Sequence, residues 1–106
     1  MAFKPVKIAA VCGMGLGSGL LVKMGVERAL KKLGFDPKDM NIEVADISTA
    51  KAVWPDIFVT STEFATRLRG EKAPVVEVHN LFDENEIGEK LGPVFKQVLE
   101  QHKAAS

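Results

Sequence analysis

VKIAAVCGMGLGSGLL, residues 6–21, decides how this chain is read. Val6 to Cys12 is short and largely apolar and then stops at glycine, the pattern of a strand buried on both faces of a parallel sheet. Four glycines follow at positions 13, 15, 17 and 19, with Ser18 between the last two. A helix is predicted over Ser18–Leu33. There Val22, Gly25, Val26, Ala29, Leu30 and Leu33 share one face, Gly34 supplies the C-terminal stop and Pro37 lies just beyond. A strand, a glycine-rich turn and a helix make the first half of a β-α-β unit.

The rest of the chain repeats the alternation. Ile42–Ile47 reads as a second strand and Asp56–Thr60 as a third, with Ser48–Trp54 between them too short for much helix and Pro55 closing it. Thr62–Arg69 is a short helix, and Pro74–His79 a fourth strand. Asp83, with Glu86 three residues on, is a capping-box variant opening a last helix. Its apolar stripe is Ile87, Leu91, Val94, Phe95, Val98 and Leu99, and Gly92-Pro93 should kink or restart it. The tail from His102 to Ser106, its last four residues above all, should fray. Strands alternating with helices imply right-handed crossovers and a parallel sheet. The expectation is a small doubly wound four-stranded α/β domain, flavodoxin- or Rossmann-like, in strand order 2-1-3-4, with one domain spanning residues 1–106. Ligands in such sheets sit at the carboxyl ends of the strands. The loop after Cys12, Thr60-Ser61-Thr62 and His79-Asn80 all fall there, whereas Trp54 falls at the opposite end and is assigned to packing.

Totals narrow the function classes. The 106 residues carry 14 basic and 14 acidic side chains and are 46% apolar, so neither disorder nor a nucleic-acid footprint is indicated. No apolar run approaches the roughly twenty residues that span a bilayer, and the single cysteine makes no internal disulfide. A cytoplasmic protein, not inserted in a membrane, is expected.

Three glycine-rich motifs compete for residues 12–19. A dinucleotide fingerprint needs glycine or alanine where Ser18 or Leu20 stands, although Asp46 at the end of the second strand sits where a ribose-binding acid would. A Walker A loop needs a Gly-Lys pair, and none occurs. The third is a phosphate cradle around a nucleophilic cysteine. Cys12 ends the strand, Gly13, Gly15 and Gly17 let backbone N–H groups turn inward, and Ser18 would cap the helix whose N-terminus favours an anion. A thiolate is an anion, and so is a phosphoryl group. The plain alternative for Cys12 is a small buried hydrophobe; its place before the glycines favours the nucleophile. A cysteine phosphatase would have arginine six residues after the cysteine, where this chain has Ser18, and a clear general acid is missing. Without them a phosphocysteine should last, as a carrier requires.

KIAAVCGMGLGSGLLVKMGVERAL, with DIFVTST and PVVEVHNLF further on, resembles the IIB components of the bacterial phosphoenolpyruvate-dependent sugar phosphotransferase system, the ascorbate-type members of the lactose/cellobiose-like superfamily in particular. The resemblance implies a phosphotransferase acting through phosphocysteine. Cys12 would accept a phosphoryl group from a phosphohistidine on a IIA component and pass it to a sugar or ascorbate-like substrate held by a membrane-embedded IIC component. Residues Gly13, Met14, Gly15, Leu16, Gly17 and Ser18 would hold the phosphate, with no cofactor and no metal. His79 departs from the arginine common in that family. His79, Asn80, Thr60, Ser61 and Thr62 are possible accessory groups, though strand-end hydroxyls equally often satisfy local backbone. Met14, Leu16, Leu20 and Met24 are candidate docking residues around the sulfur. Alternatives from other classes are a low-molecular-weight cysteine phosphatase and a small anion- or nucleotide-binding module using Asp46.

Overall fold

The computed structural model describes residues 4–12 and 16–105. Four parallel strands, β1 (Val6–Val11), β2 (Met40–Ala45), β3 (Ile57–Ser61) and β4 (Val75–Val78), form one sheet in the order β2-β1-β3-β4, as the alternating pattern predicts. Helix α1 (Leu16–Lys32) follows β1, α2 (Thr62–Leu68) follows β3, and α3 (Glu84–Ala105) follows β4; 3-10 turns at Pro37–Asp39 and Ala50–Val53 fill the remaining connections.

The strand alternation of period two divides the core. Val6, Ile8, Ala10 and Cys12 face one side with Ile57, Val59, Val76 and Val78, and meet Val22, Val26 and Leu30 of α1 and Ile87, Leu91 and Phe95 of α3. Ala9, Val11, Ala45 and Phe58 face the other side and meet Ala50 and Leu68. β1 pairs with both neighbours, Val11 lying opposite Ala45 of β2 and Thr60 of β3. Burial on both faces explains why β1 has no polar alternation beyond Lys7.

Several sequence expectations need correction. Helix α1 begins at Leu16, so Ser18 lies inside its first turn and is not the N-cap. Leu33 is exposed rather than part of the buried stripe. The helix ends one residue earlier because Gly34, at φ 95°, forms a paired C-cap: Gly34 N–H donates to Lys31 C=O at 3.0 Å and Phe35 N–H to Leu30 C=O at 3.2 Å. Phe35 then packs edge-on to Phe95 at 4.8 Å. β2 ends at Ala45, not Ile47, because the Asp46 carboxylate gathers Ser48 and Thr49 into a turn.

Helix α3 does not restart at Gly92-Pro93; it continues through Pro93. A proline repels the Cβ of the residue before it from helical conformation, and Gly92 has none. The tail is helical as far as it is described, and Ser106 lies outside the described residues. The helix reaches Ala105, and His102 is tied down, its Nδ1 2.8 Å from the Lys4 carbonyl and its Nε2 3.5 Å from Asp56 Oδ1. Trp54 lies at the amino-terminal end of the sheet as expected, yet it does not pack: 81% of its surface is exposed.

Candidate functional site

After β1 the chain crosses through α1 on one face toward β2; after β3 it crosses through α2 on the other face toward β4. Departures to opposite faces open a crevice between the carboxyl ends of β1 and β3, the switch point of a doubly wound sheet. Cys12 is the residue at that point. Its N–H donates to the Ala45 carbonyl at 3.1 Å, continuing the β1–β2 ladder one residue beyond the strand. The side chain is on the α1/α3 face and only 6% exposed. Residues 13–15 alone separate it from the first helical residue, Leu16.

Of the expected cradle, Gly13, Met14 and Gly15 lie outside the described residues, and Leu16, Gly17 and Ser18 are described only as the first turn of α1. That turn carries no acidic side chain to compete for an anion at the helix N-terminus.

Thr60 is fully buried, and its hydroxyl donates to the Val11 carbonyl at 3.0 Å. It therefore satisfies backbone and clamps β3 to the end of β1, immediately before Cys12. Ser61, level with Val78 in the sheet, is the N-cap of α2, though its side chain makes no capping bond; exposed Thr62 opens that helix. Asn80 shapes the turn into α3, its Oδ1 accepting Phe82 N–H at 2.9 Å and its carbonyl accepting Asp83 N–H at 3.0 Å.

The exposed His79 stands at the end of β4 beside a residue that sequence reasoning placed elsewhere. Glu86 was expected to complete a capping box with Asp83. Asp83 does cap α3, its Oδ1 accepting Asn85 N–H at 3.0 Å and Glu86 N–H at 3.2 Å. The Glu86 carboxylate instead accepts His79 N–H at 2.7 Å and Asn80 N–H at 3.0 Å, and lies 2.9 Å from His79 Nδ1 and 2.8 Å from Lys90 Nζ. These bonds, that from His79 N–H foremost, hold its carboxyl down at about 2 against burial that opposes the shift. Spacing alone marks Glu86 as a capping residue; its true partners come from a strand end that only the fold brings near. Lys90 Nζ also lies 3.5 Å from His79 Nδ1. The imidazole can donate to Glu86 in one neutral tautomer or accept from Lys90 in the other.

The remaining charged candidates serve the scaffold. Asp46 Oδ1 accepts from Ser48 Oγ at 2.6 Å, Thr49 Oγ1 at 3.1 Å and both backbone N–H groups at 3.0 Å, and these bonds, the Ser48 hydroxyl first, lower its carboxyl below the usual range. Arg28 places Nε and a terminal nitrogen 3.1 Å from Glu84 Oε2, with Lys32 3.2 Å from the other oxygen, joining α1 to the start of α3. Among the described residues no group of three or more His, Cys, Asp or Glu is arranged to hold a metal ion, and no helix is long and apolar enough to cross a membrane.

Around this end of the sheet the surface is apolar. Leu20, at 60% exposure, and Met24 lie one turn apart on the first half of α1, Leu21 is exposed beside them, and Phe82 is exposed in the turn before α3. Leu21 and Phe82 escaped the sequence reading. Leu21 follows Leu20 directly, and Phe82 belongs to no periodic pattern.

The family model of the lactose/cellobiose-specific IIB subunit of the phosphotransferase system matches residues 7–92, from β1 into α3. This chain belongs to that family. It is also 35% identical over 97 residues to the ascorbate-specific EIIB component of Mycoplasma pneumoniae, covering 89% of this chain and 99% of that protein. The corresponding ascorbate-specific components of Escherichia coli O157:H7 and Salmonella typhimurium are 33% identical over 98 residues, 91% of this chain and 95% of theirs. The chain is a IIB component of a sugar phosphotransferase system, a class of phosphotransferases that work with IIA and IIC partners.

Proposed function

We propose that this IIB component is a cytoplasmic phosphocarrier and that Cys12 carries the phosphoryl group. The observation that carries this reading is the position of the only cysteine: at the switch point, one residue past β1 and just ahead of the N-terminus of α1. The sulfur attacks phosphorus in a phosphohistidine of the IIA partner; the S–P bond forms, the N–P bond breaks, and the imidazole nitrogen leaves with its electron pair. In the second step a substrate hydroxyl held by the IIC partner attacks, the P–O bond forms, and the sulfur leaves as thiolate while the hydroxyl proton passes to a base of that partner. Transfer of this kind rests on positioning and on stabilising charge over the equatorial oxygens. Backbone N–H groups of Gly13, Met14, Gly15, Leu16, Gly17 and Ser18, with the positive end of α1, suit that task.

Accessory roles follow from what each group has left to give. Thr60 has spent its hydroxyl on Val11, so it acts on the cradle through β1. His79 keeps an exposed imidazole with Nε2 unengaged among the described residues. The substrate belongs to the class named by the relatives, a sugar or ascorbate-like molecule, and is selected by the transport partner. Against the phosphatase alternative, Ser18 occupies the clamp position and Arg28 is committed to Glu84. Against the nucleotide alternative, Asp46 is committed to its own turn.

Incubation with phosphoenolpyruvate, the general phosphotransferase proteins and the cognate IIA component should place phosphate on Cys12, read by phosphopeptide mass spectrometry. The Cys12→Ala variant should accept none. Phosphate on His79 or His102 with Cys12 unmodified refutes the assignment.

A further inference from the structure

Trp54, the only tryptophan, fits its surroundings poorly as a structural residue. Its side chain is exposed, and its backbone is left-handed at φ 54°, ψ 55°, the one non-glycine with positive φ among the described residues. That conformation suits glycine or asparagine and strains a residue bearing a large side chain. A strained, solvent-facing indole that buries little offsets none of this within the fold, and such outliers point toward function.

Its neighbourhood is concave and basic. Trp54 separates two recesses at the amino-terminal pole of the sheet. Lys51, Pro55, Phe58 and Lys72 help to line one, Lys4, Lys7, Asn41 and His102 the other. Lys7 is paired with Glu43 at 3.2 Å and Lys51 with Glu71 at 3.7 Å. Asp56 accepts the Lys7 N–H at 2.8 Å and faces His102. Lys4 and Lys72, both exposed, have no acidic partner among the described residues. The chain as a whole has no net charge, so two unmatched lysines around one indole are a local feature.

We propose that Trp54 anchors a second docking surface, at the pole opposite Cys12, for an acidic segment of a protein partner that lays an apolar side chain against the indole. Tryptophan is the most effective anchor residue at interfaces, with an apolar body and one N–H to place, and the lysines supply charge complementarity. A second copy of this chain would bring like charges together. A lipid surface would turn Cys12 away from the membrane that holds its acceptor, an argument that rests on the proposed function. An acidic protein segment leaves the Cys12 pole free to meet donor and acceptor in turn while the carrier stays tethered.

The sole tryptophan is its own reporter. A synthetic twelve-residue peptide alternating glutamate with leucine and phenylalanine should shift Trp54 emission to the blue and saturate, with affinity falling at least fivefold between 50 and 300 mM salt. The same peptide with lysine for glutamate, and vesicles containing phosphatidylglycerol, should give no saturable shift. With a fluorescein-labelled peptide, Trp54→Gly should lose binding tenfold or more, and Lys4→Glu/Lys72→Glu at least fivefold. Phosphorylation of Cys12 should stay unchanged in both. Glycine accepts the left-handed backbone, so Trp54→Gly should fold with an equal or higher Tm, which separates lost binding from lost structure. Absence of binding by the acidic peptide, equal binding of the lysine peptide, a saturable response to the vesicles, or unaltered binding by Trp54→Gly overturns the proposal.

Discussion

Glu86 shows how one carboxylate can organise the junction between a strand end and a helix start. It gathers two backbone N–H groups, an imidazole and an ammonium at the junction of β4 and α3. Its carboxyl is lowered from the ordinary 4.5 to about 2, chiefly by the bond from His79 N–H. A depressed pKa means that the ionised form is favoured by folding, so the contribution is fully present above the unfolded value near 4.5 and is lost as pH falls toward 2. Glu86→Gln should therefore be less stable than the parent at neutral pH, and the gap in Tm should close as pH is lowered through that window. Thermal melts by circular dichroism at half-unit steps from pH 2 to 7 check this; a constant gap means that the amide loses packing rather than charge. Because the partner groups lie on the strand end that carries His79, the same variant should loosen the imidazole, seen as broadened His79 resonances. The contrast with Asp83 explains the misreading from sequence. Asp83 precedes α3 and Glu86 sits in its first turn, at capping-box spacing, but a local motif ranks only local partners, and the N–H groups that won Glu86 belong to residues 79 and 80, which topology rather than spacing delivers.

At the level of elements, apolar patterning predicted the four strands and the two long helices, because burial on two faces leaves a strong pattern in Val, Ile and Ala, and the alternation of strands with helices predicted the parallel sheet and its order. What periodicity missed were helix ends, which depend on single hydrogen bonds. Ser18 was read as a cap because serine prefers that place, yet the helix starts at Leu16. Gly92-Pro93 reads as a kink or a restart, because proline alone argues for either; α3 does not restart there, and the glycine ahead of the proline spares it the clash that a Cβ would add. The same logic gives a paired prediction for two glycines. Gly88 lies against α1, and a Cβ there would sit 3.7 Å from the Ala29 carbonyl and from Leu33 Cδ1, ordinary contact distances. Gly88→Ala should raise stability by about 0.5–1 kcal/mol, the helix-interior difference between the two residues. Gly34, in contrast, has open space around it but a φ of 95°. Gly34→Ala should lower stability by about 1–2 kcal/mol, the left-handed strain of a residue with a Cβ. Urea titrations of the two variants decide it, and a stabilised Gly34→Ala would mean that the α1 cap relaxes without loss.

Across the whole molecule the two proposed roles fall at opposite poles of the sheet. The carboxyl pole holds Cys12 at the end of β1, with Thr60 bonded to Val11 just before it, and toward this pole Leu20, Leu21, Met24 and Phe82 stay exposed. Folding gains nothing from leaving these four in water, and scattered singly they would need no explanation. Three share the first half of one helix, beside Cys12, which in the proposed function would have to come within bonding distance of a histidine on one protein and a substrate in another. A surface that meets two partners in turn suits flexible apolar side chains over fixed ion pairs. Burial of a side chain of this size contributes about 1.5–3 kcal/mol, and each ~1.4 kcal/mol is tenfold in an equilibrium. Leu20→Asp/Met24→Asp should therefore slow phosphoryl transfer from the phosphorylated IIA donor by about tenfold or more when the donor is below saturation. Both side chains point to water in the free protein, so helical circular dichroism and Cys12 alkylation should be unchanged. A single-turnover titration against the donor separates the outcomes. Slow transfer that recovers at high donor concentration places the defect in docking. Slow transfer at every concentration places it in the positioning of the sulfur, and an unaltered rate in the folded double variant moves the docking face elsewhere on the molecule.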